Sequence, residues 1–257
     1  MTSIHADSGN TEYSSENGVL FDKNKITLVL YPVRKTGGYI IPNSVTTIGE
    51  ATFAFCHGLT SVNIPNSVTT IGDEAFYGCR SLTSIIIPNS VTTIGDKAFD
   101  RCYGLTSVII PNSVTAINDA AFYGCHSLTS VIIPNSVITI GGRAFTDCTG
   151  LTSVSIPNSV TTIGESAFGG CYDLTSVSIP NSVTTIGNEA FAHCSSLTSV
   201  TNLNPMPQNI SSNVFDGVDI SDFTLKVPAS AVDAYKAAPV WKGFGKITAV
   251  SGEEERE

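Results

Sequence analysis

The words "PNSV" begin at Pro42, Pro65, Pro88, Pro111, Pro134, Pro157 and Pro180, a step of 23 residues with no insertion. Cys56, Cys79, Cys102, Cys125, Cys148, Cys171 and Cys194 keep the same step. Phe53 to Phe191 and Leu59 to Leu197 recur in phase with them. A fixed short period means a stack of coils, one per repeat, that share a continuous core and touch only their neighbours. This overrides the two-domain reading that 257 residues would otherwise permit.

One coil can be read residue by residue. In "LTSVNIP", Leu59, Val62 and Ile64 are apolar and form the inward set. Val62 and Ile64 alternate with Ser61 and Asn63, the pattern of a half-buried strand. Pro65 has no N–H and ends that strand, and Asn66-Ser67 turns the chain. Val68 and Ile71 of "VTTI" point back inside, from a second short strand. Gly72 is expected to take a positive φ, with Asn118 as the substitute that tolerates that conformation. "DEAFYGC" then reads as one helical turn, with Ala75, Phe76 and Cys79 facing the core. At about 4.8 Å between neighbouring strands, seven coils make a core roughly 34 Å long.

The cysteines follow from this stacking. All seven occupy one register, and free cysteine packs like a small apolar side chain. Identical positions in stacked coils direct their Cβ atoms in parallel, which does not suit a disulfide, and the count is odd. A line of sulfurs also does not converge on one point as a zinc site must. A buried thiol ladder is expected, with no bound metal.

The formal charge of −9 argues against a nucleic-acid partner, because phosphate binding needs clustered Lys and Arg. No apolar run approaches the ~18 residues of a membrane span. The opening "MTSIHADSGNTEYSSENG" has neither the basic nor the apolar region of a signal peptide.

The repeat "LTSVxIPNSVTTIGxxAFxxC" resembles the BspA-like leucine-rich repeat of surface proteins from anaerobic bacteria and some protists. The match runs from Thr2 to about Leu203. It implies a right-handed leucine-rich-repeat solenoid, β-rich with short helical or 3-10 turns. It further implies secretion to the cell surface and a role in adhesion or protein binding, with host extracellular matrix or surface proteins among the partners. The family offers no catalytic residues to carry over, so a non-enzymatic, cofactor-free monomer is expected.

Four segments are expected. Residues 1–40 hold a truncated first repeat and a hairpin turning at Asp22-Lys23-Asn24-Lys25. Residues 41–203 hold seven repeats, residues 204–250 a C-terminal α/β cap, and residues 251–257 a disordered acidic tail. In the cap, "ASAVDAYKAA" reads as a helix with Ser230 as a possible N-cap. Thr2-Ser3-Ile4 matches Thr60-Ser61-Val62, so the chain starts inside a repeat. Met1 is therefore expected to replace upstream sequence, which accounts for the missing signal peptide.

Three surface features are candidates for function. The outward strand column runs Asn63, Ile86, Ile109, Ile132, Ser155, Ser178 and Thr201. Its three adjacent isoleucines make an apolar strip of the kind that marks a binding surface, and β-propensity alone would also explain them. Tyr77, Arg80, Arg101, Tyr103, Tyr123, His126 and Tyr172 flank the cysteines in loops. Tyr and Arg are favoured at binding hot spots, and free drift at exposed positions is the plainer explanation. Glu50, Asp73, Asp96, Asp119 and Glu165 share a register and are expected to cap the turn that follows each, calcium being the alternative. His57 and His126 lie roughly 14 Å apart at the strand spacing, too far to share a metal. No nucleophile elbow or phosphate-cradling loop is present. A glycan-binding surface and a passive spacer are the other two readings.

Overall fold

In a computed structural model describing residues 1–251, three short strands open the chain as an antiparallel meander. They are β1 (Tyr13–Glu16), β2 (Val19–Asp22) and β3 (Thr27–Leu30). The expected hairpin is the β2–β3 pair. The fourth strand, β4 (Gly37–Ile40), begins a ten-stranded parallel sheet. One strand follows from every coil, from Leu59–Asn63 to Ser199–Asn202. Thr224–Val227 and Lys246–Ala249 complete the sheet. Val62, Ile85, Val108 and Val131 are buried beneath it, as the alternation in sequence predicts.

The "VTTI" segments form two-residue strands on a second face of the stack. They make two ladders, broken between Thr93–Ile94 and Ala116–Ile117.

The core is built of columns. Phe53, Phe76, Phe99, Phe122, Phe145, Phe168 and Phe191 are fully buried, with successive ring centroids 4.9–5.6 Å apart and planes within 8° of parallel. Tyr31 continues this column at the N-terminal end and Phe215 at the C-terminal end. All seven cysteines are buried free thiols. From Cys79 onward each Sγ–H donates to a phenylalanine carbonyl 26 residues earlier, at 3.1–3.2 Å. Burial pushes the Cys56 and Cys194 thiols up to about 12, and Cys102, Cys125 and Cys148 well above their ordinary range.

Three local expectations are corrected. First, "DEAFYGC" is a chain of turns and not a helical turn. Ala75, Tyr77 and Cys79 donate to carbonyls three residues back, whereas Glu74, Phe76 and Gly78 donate to Asp96, Ala98 and Asp100 of the next coil. This alternation of local and inter-coil bonds puts Glu74 and its counterparts, including Lys97, Ala120 and Arg143, at positive φ. A helix would spend every N–H inside the coil and leave the stack unbonded there.

Second, Gly72 does not have a positive φ. The register is glycine because the coils touch there. A Cβ on Gly164 would lie 2.5 Å from the Gly142 nitrogen, and one on Gly187 2.5 Å from that of Glu165. Asn118 is therefore not a substitute for a left-handed glycine.

Third, the carboxylates after this glycine do not cap their own turns. Asp73, Asp96 and Asp119 accept from the backbone N–H of Asp96, Asp119 and Gly142, each one coil further on. The column ties coil to coil.

At the C-terminal end, helix α1 (Val232–Ala237) and buried Tyr235, Trp241 and Phe244 cover the last coil. The Trp241 indole donates to Gln208 O at 2.8 Å and the Tyr235 hydroxyl to Asn204 O at 3.0 Å. Ser230 is not the helix N-cap. It sits inside a 3-10 turn, Ala229–Ala231, and Ala231 precedes the helix with no side-chain cap bond. Of the acidic tail expected over 251–257, all beyond Ser251 lies outside the described residues.

Candidate functional site

Parallel in-register pairing lines up the outward side chains of the ten-stranded sheet. Asn63 pairs with Ile86, Ile86 with Ile109, Ile109 with Ile132, and Ile132 with Ser155. The column also extends upstream, because Ile40 of β4 pairs with Asn63. Ile40, Ile86, Ile109 and Ile132 are 74%, 82%, 63% and 65% exposed. Sequence reasoning missed Ile40, although it stands 23 residues before Asn63 and two before Pro42, as Asn63 stands before Pro65. Gly37-Gly38-Tyr39 replaces the repeat's "TSV" before it, so only the "IPNSV" that follows marks the register.

The neighbouring outward column is polar: Gly38, Ser61, Ser84, Ser107, Ser130, Ser153 and Ser176. The sheet therefore shows a row of isoleucines beside a row of hydroxyls. At the N-terminal end the surface dips into a concavity of about 550 Å³ lined by Gly38, Ile40, Ser61, Asn63, Ser84 and Ile86. The short Asn63 between two isoleucines and the missing side chain of Gly38 create that hollow. In the same column further on stand Ser155, Ser178 and Thr201, then Lys226 of the cap.

The loop residues separate into two groups on other faces. Tyr77, Arg101 and Tyr123 line a groove of about 550 Å³ with Phe55, Asp100 and Arg143. Arg101 lies over the Tyr77 ring, 5.6 Å from its centroid, and its Nη1 donates to the Tyr77 hydroxyl at 2.6 Å. Phe55 meets Tyr77 edge-on at 5.0 Å. Asp100 is buried in the same groove, and burial raises its carboxyl to about 6 against the opposing pull of Arg101 and Lys97. Asp100 takes a position that Tyr77 and Tyr123 hold in the adjacent coils, and this departure in the repeat is the sequence signal for it.

Arg80 and Tyr103 belong to the second group. Together with His126 they occupy one register in three successive coils. The Arg80 guanidinium sits 5.3 Å from the Tyr103 centroid, and Tyr103 stacks on His126 at 4.8 Å and 10°. The three side chains thus touch in a row across three successive coils. Tyr172 lies two coils beyond His126, and Thr149 separates it from the stack.

The stacked parallel coils and their strand face define a leucine-rich-repeat solenoid. A family model described as a BspA type leucine rich repeat region matches residues 35–131 and 115–235, in six copies, and the chain belongs to that family. Among solved structures, a leucine-rich repeat protein from Eubacterium ventriosum is 35% identical, with a TM-score of 0.72, over 82% of this chain. The chain spans 56% of that protein's length. A T. pallidum leucine rich repeat protein is 27% identical, with a TM-score of 0.62, over 75% of this chain and 90% of its own. A leucine-rich repeat protein from Bacteroides ovatus shares the fold at 22% identity and a TM-score of 0.57, over 95% of this chain and 77% of its own. A search of curated proteins gives no match. Among the described residues, no helix is long and apolar enough to cross a membrane.

Proposed function

We propose that this chain is a non-enzymatic protein-binding module, of the kind displayed on bacterial surfaces, and that its partner docks on the isoleucine strip. One observation carries the reading. The outward column accepts Ser155, Ser178 and Thr201 in the C-terminal coils, so the fold does not need isoleucine there. Four exposed isoleucines at the other end offer apolar area that folding leaves unused. Such area gains free energy only when something covers it. The family resemblance supports an exported context and partners among host matrix or surface proteins.

The test is binding of the chain and its Ile109→Asp variant to a panel of immobilised matrix proteins and glycans. Protein binding that Ile109→Asp abolishes supports the strand face. Protein binding that survives moves the site to the loops. Silence across the panel favours a spacer.

A glycan-binding module is the second reading, favoured by the Arg80–Tyr103–His126 row, which combines aromatic rings with hydrogen-bonding groups of its own. It predicts glycan binding that Tyr103→Ala removes and Ile109→Asp leaves intact.

A further inference from the structure

The groove of Tyr77, Arg101 and Tyr123 owes its chemistry to two departures from the repeat, both in one coil. Where that coil has Asp100, its neighbours have Tyr77 and Tyr123. Where it has Arg101, they have Gly78 and Gly124, and all three residues have positive φ. Glycine takes that conformation freely, whereas arginine, at a φ of 57°, is strained in it. The stack therefore accepts tyrosine at the first position and favours glycine at the second. Folding does not call for an aspartate or an arginine here, and backbone strain of this kind gathers at functional sites.

Asp100 is 7% exposed, and its Oδ1 accepts no hydrogen bond among the described residues. Arg101 does not satisfy it, because its Nε lies 3.9 Å away and its Nη1 is turned to the Tyr77 hydroxyl. A buried acceptor without a donor costs free energy, which a ligand carrying a donor would recover. The surroundings favour a cation as that donor. The groove adjoins a second concavity at Lys97, Ala120 and Arg143. Three carboxylates line each of the two, against only Lys97, Arg101 and Arg143 on the basic side. Lys97 is already paired with Glu74 at 3.3 Å.

The aromatic walls set the shape of the ligand. Tyr77 and Tyr123 hold one register two coils apart. The rings of Phe76, Phe99 and Phe122 beside them step by 5.1 and 5.3 Å, so two coils span roughly 10 Å. A polyproline II helix presents the same face every three residues, about 9.3 Å. Its carbonyls have no internal partners, and proline-rich segments in this conformation dock on aromatic-lined grooves.

We propose that this groove binds a proline-rich, basic segment of a partner protein in the polyproline II conformation, running along the stack. Prolines three residues apart pack on Tyr77 and Tyr123, and a basic side chain beside them bonds the Asp100 carboxylate. The Tyr77 hydroxyl accepts from Arg101 and keeps its own proton to donate to a carbonyl of the segment. The site lies on a different face from the isoleucine strip and does not depend on it.

The test is fluorescence anisotropy of labelled (Pro-Pro-Arg)4, (Pro-Pro-Glu)4 and (Gly-Gly-Arg)4 with the full chain, at an ionic strength that screens charges beyond about 8 Å. (Gly-Gly-Arg)4 has the charge of the first peptide on a flexible backbone. (Pro-Pro-Arg)4 is expected to bind about tenfold tighter than (Gly-Gly-Arg)4, and (Pro-Pro-Glu)4 not to bind. Asp100→Asn and Tyr123→Ala should each weaken (Pro-Pro-Arg)4 about tenfold, and Ile109→Asp should leave it unchanged. Asp100→Asn keeps the side chain's shape, so an unchanged circular dichroism spectrum with lost binding separates a ligand contact from a folding role. No binding of (Pro-Pro-Arg)4, equal binding of (Gly-Gly-Arg)4, or binding untouched by Asp100→Asn overturns the proposal. So does binding that Ile109→Asp abolishes, which would place the peptide on the strand face.

Discussion

The side-chain amide of Asn118 donates to the carbonyl of Ile94 at 2.9 Å. In the adjoining coils the equivalent carbonyl is reached by a glycine backbone N–H. Gly95 donates to Ile71 at 2.9 Å and Gly141 to Ile117 at 2.7 Å. A Cβ at this register holds the coils apart, and the asparagine side chain spans the gap it makes. The two ladders of short strands are separated at this coil, between Thr93–Ile94 and Ala116–Ile117.

That relationship ranks two substitutions at one site. Gly164→Ala would place its Cβ 2.5–2.6 Å from backbone atoms of Gly141 and Gly142. Overpacking of this kind costs about 1–3 kcal/mol. It would also break the Gly164 N–H bond to Ile140 O. Gly164→Asn brings a larger side chain, yet it restores a donor as Asn118 does. Gly164→Asn is expected to be the less destabilised of the two in urea unfolding. The reverse order would show that Asn118 is tolerated for another reason.

The thiol ladder predicts alkaline sensitivity. Cys56 and Cys194 rise from 9.0 to about 12 in the folded chain because burial penalises the thiolate. The folded state therefore keeps protons that the unfolded chain releases above about pH 9. This contribution is complete below pH 9 and is lost as the pH climbs toward 12. Thermal midpoints should fall steeply above pH 9, less so in a Cys125→Ala variant measured against its own neutral value. A bulky thiol reagent should find few sites in the native protein and all seven after denaturation. Several fast-reacting native thiols would contradict the placement.

Asp100 has the opposite sign from a typical acid. Its folded value of about 6 lies above the ordinary 3.8, with burial as the largest cause. Its contribution to stability is therefore complete below pH 3.8 and lost as the pH rises through 6. Asp100→Asn should stabilise the protein at pH 7.5 by on the order of 2 kcal/mol. The advantage should shrink toward zero near pH 4. Paired unfolding curves at the two pH values check this. A destabilised Asp100→Asn at pH 7.5 would mean that the contact with Arg101, at 3.9 Å, outweighs the cost of burial.

The repeat made the columns of the core legible. Val62, Ile71, Phe76 and Cys79 are inward as the period and polarity require. The turns were not legible, because a helix and a string of turns can bury the same Ala75, Phe76 and Cys79. What separates them is the direction of alternate N–H groups, and that depends on the next coil. The glycine register was misread for a related reason. Gly72 looks like a conformational device within one coil, and only the stacked neighbour shows that it is a point of contact. Ile86, Ile109 and Ile132 of the outward strip followed from alternation alone, and Ile40 did not. The grouping of Tyr77 with Asp100 and of Arg80 with His126 depended on knowing that the coils stay in register through the loops.

Most bonds between coils join a residue to one about 23 positions away, as Thr129 to Thr106 and Ser136 to Val114. A coil therefore recognises only what lies directly above and below it. Deleting or duplicating one whole unit within the run would give each remaining coil an equivalent neighbour. The molecule's length is thus a variable that in-frame recombination between near-identical repeats can change, at little cost to the fold. Such a change would lengthen or shorten the outward face in steps of one residue per column.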